Sequence, residues 1–221
     1  MTTGDIIGVT AVYLYVIILL ITTEKLIVKN QLLSRKVLHI GVGNILFLLP
    51  IFDSRYVITF FAAAPFIVLT YLISPYSPID VVSRTSTKGH KLGLVYYAIS
   101  WTILAFVFFD NPVIIAIGIA AMSHGDGFAS LMGIKYGKVK YNIFGDVKSI
   151  EGSITMFLFT SLVSLIAIMY YQAYPPYFLL VVPIVAFIAT IAEGVTPKGL
   201  DNIGASLSAA FSYYILVFII L

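Results

Sequence analysis

Cysteine and charge are what this sequence lacks most. None of its 221 residues is cysteine and only 10% are charged, whereas 60% are hydrophobic and the mean hydropathy is +1.03. Without cysteine there is no disulfide framework, catalytic thiolate or cysteine-bound metal. A composition this apolar excludes a soluble globular domain. The chain is therefore expected to be an integral membrane protein.

Familiar phosphate-binding and hydrolase motifs are also missing. The sequence contains no G-x-x-x-x-G-K-[ST], no G-x-G-x-x-G after a strand, no H-E-x-x-H and no G-x-S-x-G. Any phosphate chemistry must therefore use neither a P-loop nor a Rossmann cradle. The N-terminal stretch lacks a basic n-region and a small-residue cleavage site, which predicts a retained membrane span rather than a signal peptide.

Eight apolar runs are long enough, some barely, to cross a hydrocarbon core of about 30 Å as helices. Long apolar runs favour a helical bundle over a barrel, whose strands would alternate in hydrophobicity. We predict an all-α fold, a polytopic transmembrane helical bundle of about eight spans that forms one domain over residues 1–221. The predicted spans are residues 6–22, 37–52, 57–73, 92–109, 113–133, 154–171, 177–192 and 205–221.

The basic residues predict an orientation for these spans. Twelve of the 13 lysines and arginines fall in alternate loops, and Arg55 alone lies in one of the others. The positive-inside rule then predicts that the basic loops face the cytoplasm and that both termini lie outside. The basic loops are residues 23–36, 74–91, 134–151 and 193–204.

An aspartate interrupts the fifth predicted span, within the sequence "HGDG". Asp126 follows Pro112 by 14 residues, which is about 21 Å of helix and leaves it roughly 9 Å short of the inner edge of the core. A carboxylate there costs about 2.5 to 3.5 kcal/mol, so it should face protein or a water-filled cleft. Gly133 and Gly137 share its helix face. The glycines alone favour helix packing, whereas the carboxylate favours function. His124 falls off this face and is expected to pack.

Polar residues also gather just before the sixth predicted span, in "GDVKSIEGS". Lys148 and Glu151 would lie side by side on a starting helix. Three small residues could present hydroxyls and backbone N–H groups: Ser149, Gly152 and Ser153. Such a helix end suits a phosphate and a divalent cation. A capped helix start with an incidental ion pair explains the same residues equally well.

Further polar clusters stand at the ends of other spans. Arg35 and His39 are four residues apart with Lys36 beside them; the cations are usually headgroup anchors, but a histidine inside a span needs a reason. Glu193 and Asp201 bracket a stretch that glycine and proline keep from being one regular helix, either an ordinary loop or backbone lining a cleft. Two carboxylates opposite a ring of basic residues suggest metal ligands beside a polyphosphate. The polar residues 83–93 form either a mobile loop or a nucleotide lid.

Four motifs, in this order, resemble the family of dolichol kinases, phytol kinases and yeast-type diacylglycerol kinases. They are R-K-x-x-H from Arg35, G-D-x-x-A-x-x-x-G-x-x-x-G from Gly125, K-S-x-E-G-S from Lys148, and E…D-N at Glu193, Asp201 and Asn202. The resemblance implies a membrane enzyme that phosphorylates a lipid alcohol with a nucleoside triphosphate, commonly CTP, and a divalent cation such as Mg²⁺. Lipid cytidylyltransferases, which are related and also use CTP, are the nearest alternative.

The resemblance and the needs of phosphoryl transfer together suggest roles for these residues. We assign Arg35, Lys36 and Lys148 to phosphates. We assign four carboxylates to the metal or to the acceptor hydroxyl: Asp126, Glu151, Glu193 and Asp201. Asp126 is the carboxylate deepest in the bilayer and is best placed to meet a lipid hydroxyl. His39 is expected to orient Asp126 or to contact a phosphate. The remaining residues expected around the nucleotide are Ser149, Gly152, Ser153, Gly133 and Gly137.

A small ion-coupled transporter is the competing class of protein. It would use Asp126, His39 and His124 as a proton or ion relay. Such a protein should carry its charges near the membrane midplane and show related halves. The carboxylates here cluster toward one face and no internal repeat is evident, so an enzyme is favoured. A purely structural role ranks third, and no nucleic-acid partner is expected.

Overall fold

The computed structural model describes residues 1–26, 31–77, 92–196 and 199–220, and these form a helical bundle. Within these ranges, seven helical segments are long and apolar enough to cross a membrane, and an eighth, Gly93–Val107, is shorter at 15 residues. The predicted all-α transmembrane fold is confirmed, and the predicted fourth span is the short one. The seven long segments are Thr3–Thr23, Leu33–Ile51, Arg55–Leu72, Pro112–Tyr136, Ile150–Tyr170, Phe178–Val195 and Asp201–Ile220.

The spans combine regular α-helix with short tighter or wider turns. In lipid the backbone of an apolar segment has no hydrogen-bond partner except itself, and this enforces helix. The α-helices are α1 (Thr3–Leu26), α2 (Gln31–Val42), α3 (Arg55–Val57), α4 (Pro65–Leu72), α5 (Gly93–Val107), α6 (Pro112–Ile119), α7 (Asp126–Tyr136), α8 (Ile150–Tyr170), α9 (Phe178–Val195) and α10 (Asp201–Ile215). The 3-10 turns are Gly43–Phe47 and Leu49–Ile51, and the π-helical turns are Ile58–Ala63, Ala120–Gly125 and Leu216–Ile220.

The span made of α6, the π-helical turn Ala120–Gly125 and α7 lies at the centre of the bundle. Every residue from 113 to 127 is buried, and the span packs against α2, α8 and α10. Asp126, at the start of α7, is only 7% exposed. The aspartate therefore faces protein and not lipid, as its cost in a membrane requires.

A β-hairpin, which the sequence analysis took for an inner loop, joins α7 to α8. Strand β1 (Lys140–Ile143) pairs antiparallel with β2 (Asp146–Ser149). Phe144 and Gly145 form the turn, with φ of 47° and 89°. Positive φ at both central residues is the geometry of the tight turns that match the twist of a hairpin.

The hairpin changes the surroundings of Lys148. This residue lies in β2, and α8 begins only at Ile150. The prediction that Lys148 and Glu151 lie side by side on a starting helix is therefore wrong. Side chains alternate along a strand, so Lys148 and Ser149 point to opposite faces of the hairpin.

Between the last two long spans the described residues 196, 199 and 200 lie outside regular helix, as the glycine and proline of this stretch predict. Helix α9 ends at Val195, α10 begins at Asp201, and Gly199 between them has φ of 85°. This break brings the end of α9 and the start of α10 to the same end of the bundle. The loop or lid expected at residues 83–93 lies, up to residue 91, outside the described residues.

Candidate active site

One end of the bundle contains a cleft of about 540 Å³. Its walls come from α2, α7, the hairpin, the start of α8, the end of α9 and the start of α10. Eleven of the thirteen residues predicted for the site line it, so the fold gathers motifs that are far apart in sequence. They are Arg35, Lys36, His39, Asp126, Gly133, Lys148, Ser149, Gly152, Ser153, Glu193 and Asp201.

Three carboxylates meet in this cleft: those of Asp126, Glu193 and Asp201. One oxygen of each lies within 4.8 Å of the others, and each residue is 7% exposed. Carboxylate oxygens are the protein ligands that Mg²⁺ prefers. Like charges held this close and this deep repel one another, and a bound cation would remove this repulsion. The trio therefore fits a divalent cation, with each oxygen supplied by a different helix.

Two side chains of α2 contact the Asp126 carboxylate. The ammonium of Lys36 lies 3.2 Å from Oδ2, and Nε2 of His39 lies 3.3 Å from the same oxygen. Nε2 of His39 also lies 2.7 Å from the main-chain oxygen of Met122. The R-K-x-x-H motif and the G-D motif thus form one contact cluster, because α2 packs directly against α7.

Lys148 reaches from the hairpin to the end of α9. Its ammonium donates to Oε1 of Glu193 at 2.7 Å, to the main-chain oxygen of Thr196 at 3.2 Å and to the main-chain oxygen of Glu193. An ammonium has three N–H donors, and these three acceptors use all of them. Lys148 therefore holds Glu193 and caps the end of α9, whereas the sequence analysis expected it to contact a phosphate.

The ammonium of Lys148 stays charged at neutral pH. Burial alone would lower the pKa of this amine, but the nearby carboxylates, Glu193 foremost, outweigh burial and raise the pKa above the ordinary value of lysine. The cation that holds Glu193 is therefore permanent under physiological conditions.

The hairpin also contributes residues that the sequence analysis did not assign. Lys140 and Asp146 line the cleft together with Lys148, so one short ribbon supplies three of its charges. A signal for them was present: "KYNIFGDVKS" alternates polar and apolar residues around a central glycine, the pattern of a hairpin. Ser130 and Asn202 line the cleft as well.

The start of α8 is a capped helix end. Oγ of Ser149 accepts from the backbone N–H of Gly152 at 3.1 Å, and Oγ of Ser153 lies 2.8 Å from the hydroxyl of Tyr141. A Cβ on Gly152 would lie 3.1 Å from the Ala129 carbonyl oxygen, so the glycine lets α8 approach α7 closely. These residues line the cleft while also performing the structural task that the sequence analysis held as the alternative.

Glu151 and Gly137 do not line the cleft. Oε1 of Glu151 accepts from the backbone N–H groups of Lys138 and Val139, at 3.0 Å and 3.4 Å. The carboxylate expected at the metal therefore caps the chain after α7, because the first turn of α8 directs it there. A Cβ on Gly137 would lie 2.8 Å from the Cβ of Ser149. This glycine lets the end of α7 pack closely against Ser149, and its contact with a nucleotide stays a prediction.

Comparison with known proteins finds no family model and no solved structure that matches the chain. It does find curated relatives. A phytol kinase of Synechocystis is 32% identical over 213 residues, which cover 92% of this chain and 88% of the relative.

Two plant relatives are also similar. Phytol kinase 1, chloroplastic, of Arabidopsis thaliana is 34% identical over 89% of this chain and 71% of its own length. A probable phytol kinase, chloroplastic, of Triticum aestivum is 34% identical over 68% of this chain and 53% of its own length. The chain thus spans most of the cyanobacterial protein and about half of the wheat protein.

Proposed function

Because the chain belongs to the phytol kinase family of membrane lipid-alcohol kinases, we propose that it transfers the γ-phosphate of CTP to an isoprenoid alcohol of the phytol type. One observation carries the proposal. In a chain related to phytol kinases over 92% of its length, three buried carboxylates and several basic side chains converge in one cleft at the end of a membrane bundle. Phosphoryl transfer needs such a set: cations for the triphosphate and oxygen ligands for a metal.

The metal ligands of this proposal are Glu193 and Asp201. Both lie at helix ends, and Lys148 fixes the Glu193 carboxylate in place. Mg²⁺ bound there would neutralise charge on the β- and γ-phosphates. Arg35, Lys36 and Lys140 supply positive charge around the same cleft for the triphosphate.

Asp126 is the group that we assign to the acceptor hydroxyl. It lies well inside the span Pro112–Tyr136, whereas Glu193 and Asp201 lie at the ends of theirs. A lipid alcohol dissolved in the membrane reaches its depth more easily than a water-borne nucleotide does. The carboxylate orients the hydroxyl and accepts its proton as phosphate is transferred. The proximity of its oxygen to the other two carboxylates supports an acceptor hydroxyl beside the proposed metal ligands.

The cleft, in this proposal, faces the cytoplasm and both termini face the other side. Support comes from the charge distribution, because the basic hairpin and the basic residues of α2 stand at the end of the bundle that holds the cleft. CTP is made in the aqueous phase, so a cleft on that side meets the nucleotide and the lipid headgroup region at once.

A transporter is less well supported. From residue 113 to residue 122 the central span contains only apolar residues and one glycine, and Ile114, Ile117 and Leu104 have no exposed surface. These buried apolar residues separate the cleft from the opposite end of the bundle. His124 lies outside the cleft, where Nε2 contacts the side-chain oxygen of Asn44 at 3.2 Å.

The direct test incubates the purified protein with Mg²⁺, a lipid alcohol and CTP labelled at either the α- or the γ-phosphate. The lipids are phytol, geranylgeraniol, dolichol, diacylglycerol and a phosphatidic acid, and ATP replaces CTP in a parallel series. We expect γ-label in the lipid fraction, with phytol or geranylgeraniol as the best acceptor. α-Label in lipid, with a phosphatidic acid as acceptor, would replace the proposal with a cytidylyltransferase.

Two variants connect this activity with the cleft. Asp126→Asn should lower kcat by about 10²- to 10⁴-fold, the usual effect of removing a group that accepts a proton. Asp110→Asn is the matched control, because this aspartate pairs with Arg55 at the other end of the bundle. Equal activity of the two variants, both folded by gel filtration in detergent, would contradict the assignment of Asp126.

A further inference from the structure

The chain widens into a π-helical turn, Ala120–Gly125, immediately before Asp126. In a regular α-helix the N–H of Asp126 would donate to the main-chain oxygen of Met122. Here it donates instead to the main-chain oxygens of Ala121 and Ser123. The Met122 oxygen therefore lacks its usual helical donor and can accept a hydrogen bond from outside the helix. Such π-helical turns occur frequently at functional sites.

His39 takes up that role. Its Nε2 lies 2.7 Å from the Met122 oxygen. A carbonyl oxygen only accepts hydrogen bonds, so Nε2 carries a proton and donates it. The same Nε2 faces Oδ2 of Asp126 at 3.3 Å. The protonated edge of the ring is therefore shared between two acceptors and has no lone pair with which to receive a proton from a substrate.

The ring is also held from behind. It packs edge to face on Tyr97, with ring centroids 4.9 Å apart, and the hydroxyl of Tyr97 lies 2.6 Å from Oγ of Ser123 in the π-helical turn. The His39 side chain is 8% exposed. α5 and the π-helical turn together thus fix the ring in one orientation.

We propose that His39 is a positioning residue, whose Nε2–H is anchored by the Met122 carbonyl so that it holds the Asp126 carboxylate toward the acceptor hydroxyl. Its task needs a hydrogen-bond donor at this position and needs neither a titrating nitrogen nor a positive charge. The inference rests on the proposed function, since it describes how the group assigned to the acceptor is oriented. Of the two roles that the sequence leaves open for His39, the inference favours orientation over contact with a phosphate.

The variant His39→Gln distinguishes a hydrogen-bond donor from a group that takes up a proton. The amide nitrogen of glutamine supplies a donor near the position of Nε2 but accepts no proton at neutral pH. His39→Ala should lower kcat by about 10- to 100-fold, as is usual when a group that orients a functional ligand is removed, with KM for CTP nearly unchanged. His39→Gln should recover most of that loss and keep the pH dependence of the wild type. A glutamine variant as inactive as the alanine variant, or one that loses a limb of the pH profile, would overturn the inference.

A measurement on the wild-type protein does not depend on activity. The ¹⁵N spectrum of histidine-labelled protein contains signals of three histidines, and those of His39 are the ones missing in His39→Gln. We expect a proton at Nε2. A ring with its only proton at Nδ1 would contradict the inference. Wild-type protein that phosphorylates no lipid alcohol would instead refute the proposed function while leaving this result standing.

Discussion

Asp126 and Glu193 each lie buried against a lysine, at 3.2 Å from Lys36 and 2.7 Å from Lys148. Buried ion pairs rarely add net stability, because the loss of water around both charges offsets their attraction. Well-packed apolar residues would fold as well in these positions. The presence of two such pairs in one cleft is therefore better explained by the chemistry of the site than by folding.

Removing one member of a pair should nevertheless be costly. Lys148→Met leaves Glu193 buried without its cation, so the free energy of unfolding should fall by about 3 kcal/mol. Lys148→Met combined with Glu193→Gln removes both charges and should restore most of that stability without restoring activity. Thermal unfolding in detergent measures both effects. Exposed Lys138→Met is the control and should change stability by less than about 0.5 kcal/mol.

The contribution of Lys148 to the stability of wild type should depend on pH. The pKa of Lys148 is raised in the folded protein, so the contribution of the pair is complete below the unfolded-state pKa of about 10.4. It is lost only as the pH rises through the folded-state value. The attraction between Lys148 and its neighbouring carboxylates should therefore be fully present in wild type around neutral pH and should weaken in alkaline solution, as thermal unfolding of wild type at increasing pH would measure. A double variant as unstable as Lys148→Met would show that the lysine stabilises the fold by something other than pairing.

At the scale of the element, the two glycines of "HGDG" explain how a helix can hold an aspartate between two neighbours. A Cβ on Gly125 would lie 2.3 Å from Oγ1 of Thr160 in α8, and a Cβ on Gly127 would lie 2.3 Å from Cγ1 of Ile40 in α2. Distances this short do not occur, so each glycine permits one close approach. The contact of α2 with Asp126 depends on the second of these.

Gly127→Ala should push α2 away from α7 and separate Lys36 and His39 from Asp126. Because Cγ1 of a β-branched isoleucine cannot swing aside cheaply, we expect kcat to fall at least tenfold and the melting temperature to drop. Gly41→Ala, in the same helix as Ile40, is the matched control, since its Cβ would meet only the flexible end of Leu19 at 3.0 Å. Equal kinetics of the two variants would contradict this account of the helix contact.

The hairpin offers a prediction of the opposite sign. Phe144 has φ of 47° and is 77% exposed, a left-handed conformation that costs a residue with a Cβ about 1–2 kcal/mol. Asparagine followed by glycine is the favoured pair for such a turn. Phe144→Asn should therefore raise the melting temperature. A lower melting temperature would show that the exposed ring makes a stabilising contact of its own, for example with the lipid headgroup layer.

At the scale of the whole molecule, the charged side chains of the described residues stand toward the two ends of the bundle, and residues 113–122 of the central span between them are apolar apart from one glycine. The cleft marks one end. At the other end, Asp5 accepts from the backbone N–H groups of Asp53 and Ser54, at 3.1 Å each, and Arg55 pairs with Asp110. These outer contacts tie loops together and hold no cluster comparable to the carboxylate trio within the described residues.

The proposed orientation can be tested because the chain has no cysteine. Lys138→Cys, beside the hairpin, and Tyr174→Cys, in the loop between α8 and α9, both introduce an exposed thiol. In sealed right-side-out vesicles a membrane-impermeant maleimide should label Tyr174→Cys and spare Lys138→Cys until the vesicles are opened. Labelling of Lys138→Cys alone would invert the orientation, and the unmodified protein serves as the blank.

The sequence by itself determined the class of protein, its helical spans and the burial of Asp126. These follow from local physics: the length of an apolar run, the cost of unpaired backbone in lipid and the cost of a charge at a given depth. The hairpin was not predicted in this way. The alternation of polar and apolar residues around Phe144 and Gly145 is short and lies between two long helical patterns.

Only the tertiary structure decided which polar groups meet. Lys36 and Asp126 are 90 residues apart, and Lys148 and Glu193 are 45 apart. Most of the helices are apolar on every side, so their sequences do not say which face turns inward or toward which neighbour. Packing brings the Glu151 carboxylate to the backbone N–H groups after α7 and the Lys148 ammonium to Glu193. These contacts, and not the composition of the chain, determine the geometry of the site.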